Sequence, residues 1–164
     1  METLTVSKNA VLHSYRGAKG EAKAILQDLF GKQVYDHITD RVKSFEDACD
    51  VLEYTTITPM CGQLPDKYHE PIKIFYMLQV ICEALNEGWV ADWNNTDQVK
   101  YFPYFKLVDG KLKFAGVAAR YSPFALGSAF SFDVARLCYN SENIAEYAGR
   151  EFVELYHNLI VTEF

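Results

Sequence analysis

Between Pro71 and Gly88 the chain carries Ile72, Ile74, Phe75, Tyr76, Met77, Leu78, Val80, Ile81, Cys82, Ala84 and Leu85. Only Lys73, Gln79, Glu83, Asn86 and Glu87 form a polar strip between them. Pro71, with its fixed φ and missing N–H, suits a first helical position, and Gly88 suits the left-handed residue that ends a helix. A helix that is apolar around most of its circumference has to be covered on several sides. Full burial of Phe75, Leu78, Ile81 and Leu85 contributes on the order of 1.5 to 3 kcal/mol each, so this element dictates where its neighbours pack.

Downstream, Tyr101-Phe102-Pro103-Tyr104-Phe105-Lys106-Leu107-Val108 and Lys111-Leu112-Lys113-Phe114 flank Asp109-Gly110. That dipeptide favours positive φ at both central residues of a type I′ turn and predicts a β-hairpin. The two-residue turn sets Leu107 opposite Leu112 and Phe105 opposite Phe114, giving one wholly apolar face. The other face carries Lys100, Phe102, Tyr104, Lys106, Lys111 and Lys113, with Lys106 across from Lys113. Pro103 cannot donate to a ladder, so its strand lies at an edge or turns that nitrogen to solvent.

The remaining segments frame these two. Glu21 to Phe30 has Ala22, Ile25, Leu26, Leu29 and Phe30 on one helical stripe, ended by Gly31. A short turn of helix is expected from Tyr35 to Val42. Ser44 with Asp47 three residues on is a capping-box pattern, leading into a helix that buries Phe45, Ala48, Cys49 and Leu52. Tyr54 to Glu70 reads as a long loop, and Trp89 to Gln98 as a turn-rich connection around two tryptophans. Ala115 to Ala129, small and apolar, predicts irregular structure or a weak strand, and Phe130 to Tyr139 a further strand. A last helix follows Asn140 or Ser141, with the stripe Ile144, Ala148, Phe152, Leu155 and Leu159 and a Glu146–Arg150 pair. Gly149 inside it costs about 1 kcal/mol relative to alanine and implies close packing against another backbone. Residues near Leu4 to Tyr15 fit a short strand or a helix.

The order is helices, strands, then a helix. It predicts an α+β fold: a small antiparallel sheet with an aromatic hairpin packed on a helical layer around a buried central helix. At 164 residues one domain is expected, with a helical half over 1–88 and the hairpin, sheet and C-terminal helix over 89–164.

A formal net charge of −6 argues against bulk electrostatic attachment to nucleic acid or an anionic membrane. Locally the balance differs: four lysines from Lys100 to Lys113 face only Asp109, whereas six acids from Asp36 to Glu53 face only Arg41 and Lys43. Cys49, Cys61, Cys82 and Cys138 form no C-x-x-C pair, and Cys49 and Cys82 fall on apolar stripes, so buried free thiols are expected. His13, His37, His69 and His157 have no ligand spacing. Neither a metal nor a cofactor is expected. Cys61 with His69, and the carboxylates of Glu83, Glu87, Asp92 and Asp97, are the only groupings that suggest hydrolytic or acid–base chemistry, and a solvated polar strip is the far plainer reading of the carboxylates. With no basic leader and no long apolar run, the setting expected is the bacterial cytoplasm, without a membrane partner.

Four pieces of the chain carry a resemblance. They are Leu29-Phe30-Gly31-Lys32; Asp40 to Cys49; Ala84-Leu85-Asn86-Glu87-Gly88-Trp89 through Asp92-Trp93-Asn94 to Lys100-Tyr101-Phe102-Pro103-Tyr104-Phe105; and Arg136 to Ser141 through Ala145-Glu146-Tyr147-Ala148-Gly149 to Phe152. In order, they resemble an uncharacterised protein family common in phages and prophages of gut Bacteroidetes-type bacteria. The resemblance implies a phage or mobile-element origin and no particular activity. The chain departs from that family at Ala115 to Ala129, where an aromatic-rich stretch is usual, and at Ala135 and Asn140, where serine and lysine are usual.

Two surfaces follow as candidates. The hairpin face of Lys100, Phe102, Tyr104, Lys106, Lys111 and Lys113 could contact a protein partner or a second copy, or stack bases and track phosphates of a single-stranded nucleic acid. A lysine-blunted edge is its plainer reading. Trp89 and Trp93 serve as core anchors or as one wall of a pocket. A non-enzymatic binding or self-associating module is the function expected. The central helix gives the first test: Leu78→Asp should abolish the cooperative unfolding transition followed by circular dichroism.

Overall fold

The apolar stretch is a helix, as its pattern requires. The computed structural model describes residues 6, 10–11, 14–15, 18–31, 37–120 and 136–161. The chain divides into two compact units, Met1–Asp40 and Arg41–Phe164. In the first, α1 spans Glu21–Phe30, with the bounds its stripe and Gly31 predict. Gln27 donates to the Tyr15 hydroxyl at 2.8 Å and Lys23 lies over the Tyr15 ring, yet no residue of α1 is buried. A short helix α2, Ile38–Arg41, occupies the turn expected between Tyr35 and Val42. The expected element from Leu4 to Tyr15 falls largely outside the described residues.

In the second unit α3 spans Phe45–Leu52. The Asp47 N–H donates to Ser44 Oγ at 3.1 Å, and Asp47 Oδ2 accepts from the Lys43 N–H at 2.9 Å. The first bond satisfies a donor that the first turn leaves over, and the second ties the residue before the cap to that turn. A single 3₁₀ turn, Asp66–Tyr68, leads into the central helix α4, His69–Asn86. Pro71 therefore sits in the first turn of α4, where a missing N–H costs nothing. Ile74, Leu78, Val80, Ile81, Cys82, Ala84 and Leu85 are buried, whereas Phe75 is half-buried and Ile72 exposed. The helix packs against α3, with Phe45 and Tyr76 meeting edge to face at 6.0 Å.

The sheet is a two-stranded antiparallel ribbon, β1 (Lys100–Val108) and β2 (Lys111–Arg120). Asp109 and Gly110 have φ of 52° and 74°, the type I′ signature, and Leu107↔Leu112, Lys106↔Lys113 and Phe105↔Phe114 pair as the turn dictates. The register then shifts between Tyr104 and Phe105, so that Ala115 is an extra residue opposite them. Gly116, at φ 145°, takes up the distortion of this bulge in a conformation that a side chain disfavours. Beyond it β2 continues to Arg120, more regular than its small residues suggest; residues 121–135, including most of the expected strand from Phe130, lie outside those described. The end of that segment does pair: Tyr139 and Tyr101 exchange both backbone hydrogen bonds, at 2.8 and 3.1 Å. Because Tyr101 turns its N–H away from β2, Pro103 does too, and its missing donor falls on the outer rim of β1.

The expected single C-terminal helix is two, α5 (Glu142–Glu151) and α6 (Val153–Ile160), meeting at Phe152, whose φ and ψ are −105° and 23°. The break lets α5 lie on both strands while α6 contacts α4 and β2. The Leu112 N–H on the outer rim of β2 donates to Nδ1 of His157 at 3.2 Å. Phe105 packs on Tyr156 with ring centres 4.7 Å apart. Thus the ribbon's apolar face rests on α5 and α6. Glu146 and Arg150 form the expected pair at 2.9 Å, and the guanidinium lies over Phe114.

Gly149 is where α5 touches the ribbon. A Cβ there would stand 2.6 Å from the Phe114 ring and 2.7 Å from Pro103 Cβ. Gly149→Ala should therefore destabilise by about 1–2 kcal/mol, overpacking outweighing the gain in helix propensity. Urea unfolding of the variant measures this.

Candidate functional site

On the ribbon, the structure separates residues that the alternation groups together. Lys106, Lys111 and Lys113 are exposed on one flank, with Tyr104 45% exposed beside them. Lys100 and Phe102, expected on this face, are instead 1% and 4% exposed. Their parity is right, but that end of β1 is covered. Phe102 lies against Leu137, Leu159 and Ile160 around a small apolar void. The Lys100 ammonium donates to the backbone carbonyls of Asp92 and Asn95, at 2.6 and 3.0 Å, with the Trp93 ring 5.5 Å away. The connection from Trp89 to Gln98 folds back over the strand through side-chain turns: Asp92 Oδ1 accepts from the Asn94 N–H, and Asn95 Oδ1 from the Asp97 N–H. Leu107, assigned to the apolar face, is instead 60% exposed near the turn.

The second candidate lies at the end of α4. Trp89 and Trp93 are half-buried and line an open cleft of about 390 Å³ with Gln79, Cys82, Glu83, Asn86, Arg136 and Cys138. Its inner side is built by Asn86. This residue belongs, by periodicity, to the polar strip of the central helix, yet it is buried. Its Nδ2 donates to the Cys138 carbonyl at 2.8 Å and its Oδ1 accepts the Asn140 N–H at 2.9 Å. The two contacts fix the orientation of the amide, which pairs with residues 138–140 much as a neighbouring peptide would. Asn140 Nδ2 returns a bond to the Asn86 carbonyl at 3.4 Å.

Around this amide sit groups that could act as nucleophiles if ionised. The Cys82 thiol donates to the Cys138 carbonyl at 3.2 Å, and the Tyr139 and Tyr156 hydroxyls are 3.0 Å apart, both buried. Burial pushes the Cys82 thiol and both phenols well up, since each charged form would lose its hydration. The Cys138 thiol is pushed up to about 11 by burial, held back in part by a backbone hydrogen bond and the Lys100 charge. At neutral pH all four carry their protons, so the cluster joins elements rather than attacking a substrate. At the mouth of the cleft Tyr54 donates to Glu83 Oε1 at 2.8 Å, and that bond raises the Tyr54 phenol.

The other expected groupings have separate partners. The Cys61 thiol donates to the Pro59 carbonyl at 3.5 Å, whereas His69 engages the Leu64 carbonyl at 2.7 Å and Asp66 at 3.8 Å. All four cysteines are buried and none is in a disulfide. Among the described residues no cluster of three His, Cys, Asp or Glu side chains could hold a metal, and no helix is long and apolar enough to cross a membrane. Compared with known proteins, the chain matches no family model, no curated protein and no solved structure.

Sequence reasoning passed over Asn86 and Arg136. For Asn86 the available signal was a polar residue beside Cys82, Ala84 and Leu85 at the closing turn of an otherwise apolar helix. Asn86→Ala leaves the Cys138 carbonyl and Asn140 N–H without that partner and should cost about 2–3 kcal/mol, read from the shift in a urea unfolding curve.

Proposed function

We propose that this protein is a non-enzymatic binding module that engages an acidic protein surface through the lysine flank of its ribbon, a second copy of the chain being the first partner to test. The observation that carries this reading is a concentration of unbalanced charge. Lys106, Lys111 and Lys113 are exposed and, among the described residues, none has an ion pair, in a chain whose net charge is −6. Lys106 and Lys113 also face each other across the strands, a repulsion that an incoming carboxylate would relieve. The complementary surface exists on the same molecule: Glu46, Asp50 and Glu53 are exposed on and just after α3. Tyr104 adds apolar area beside the lysines, the combination that makes contact faces adhesive.

Single-stranded nucleic-acid binding is the second reading, favoured by Tyr104 standing among the lysines. It is the weaker one because stacking needs successive rings, and with Phe102 buried this flank offers one. The phage or mobile-element origin implied by the resemblance, and a bacterial cytoplasmic setting, belong to the same proposal; genes flanking this one would test them.

Light scattering after size exclusion, at high micromolar concentration and low salt, should give a mass above that of one chain. The association should weaken on the order of tenfold or more when salt is raised or when Lys106→Glu and Lys113→Glu are combined, because a charge-steered contact is screened by ions. A monomer at low salt would remove self-association. Salt-sensitive anisotropy with a labelled single-stranded oligonucleotide, lost in Tyr104→Ala, would favour the second reading instead.

A further inference from the structure

The cleft at the end of α4 is separate from the lysine flank and has its own chemistry. It holds both tryptophans of the chain, each half-buried, in a space of about 390 Å³, within the range of small-molecule sites. Large rings left half-covered beside an open space present flat apolar surface to whatever enters it. Arg136 lines the same cleft, exposed and, among the described residues, without an ion pair. A planar guanidinium in that condition is a fork for carboxylate or phosphate.

A second positive charge stands behind the wall. The Lys100 ammonium is buried beside Trp93, held by two backbone carbonyls and the indole face, with no carboxylate at ion-pair distance among the described residues. Carbonyl dipoles stabilise such a charge without neutralising it, and its field reaches Cys138 in the cleft wall. Glu83 brings the opposite character: its Oε1 already accepts the Tyr54 hydroxyl, and its carboxylate retains acceptor capacity for a donor on a ligand.

We propose that this cleft binds a small planar organic anion, an amino-bearing aromatic ring that lies against the indoles, points its amino group to Glu83 and places its carboxylate or phosphate on Arg136. The shared chemistry admits two sources, an aromatic amino acid-like carboxylate and a nucleoside monophosphate. Isothermal titration with 4-aminobenzoate and with adenosine monophosphate distinguishes them, and for adenosine monophosphate the emission of the two tryptophans reports on the same event, since both lie in the cleft.

At least one probe should bind saturably at millimolar concentration or below, with its neutral counterpart, aniline or adenosine, binding on the order of tenfold more weakly. Arg136→Ala, which removes an exposed side chain that has no ion pair among the described residues, should reduce affinity about tenfold or more, and Lys67→Ala, which does not line the cleft, should leave it unchanged. Failure of both probes to bind at millimolar concentration overturns the proposal. So does binding that Arg136→Ala leaves at the wild-type level in a variant whose circular dichroism is unaltered. Neither result bears on the lysine flank, whose test uses other residues and another readout.

Discussion

The side-chain amide of Asn86 joins the two halves of the second unit. On its own, α4 ends at Asn86, whose side chain is buried beside backbone carbonyls and N–H groups of residues 138–140 that need partners. The amide supplies them, fixing Cys138 and Asn140 beside the helix end, and the residue between them then pairs with Tyr101 on β1. The Tyr139 phenol extends the connection to Tyr156 on α6. One helix end, one strand and one C-terminal helix are thereby set relative to each other through a run of three residues. The raised thiol and phenol ionisations follow from the same enclosure, since charge on any of them would have to be solvated by a region already saturated with internal bonds.

The ribbon shows a different economy of contact. Its apolar face meets α5 where Gly149 has no side chain, so that Phe114 and Pro103 reach the helix backbone. This lets a two-stranded sheet, marginal by itself, find a well-packed support. The flank left over is polar at the turn end and covered at the Lys100 end. The basic surface is therefore shorter than a regular alternation implies and is concentrated in three lysines around one tyrosine.

Local rules carried far in this sequence. The Asp109-Gly110 turn sets the register near the hairpin end, Ser44 and Asp47 cap α3, and the apolar surround of α4 makes it central. What escaped were features decided by distant residues. Asn86 meets partners 52 and 54 positions later, so a helical wheel assigns it to solvent. Lys100 has the parity of an outward residue, and only the folded connection above it supplies the carbonyls that hold its charge. The break at Phe152 leaves no mark in the 3.6-residue stripe, which runs through it from Ala148 to Leu155, and on its two sides the chain packs on different neighbours. The bulge was half-legible, Gly116 within a strand being its mark.

The imidazole of His157 on the Leu112 N–H has a consequence for how this molecule can aggregate or assemble. Bare sheet margins invite β-augmentation, in which a foreign strand zips on through main-chain bonds. Here β2 has a margin donor occupied by a side chain, while along β1 the Tyr139 bridge and the proline after it interrupt the other margin. On the β1 margin the short run about Phe105 and Leu107 is left, too brief by itself to hold an extended peptide in register. Along β1, a strand arriving from outside would therefore find few of the main-chain bonds that augmentation needs.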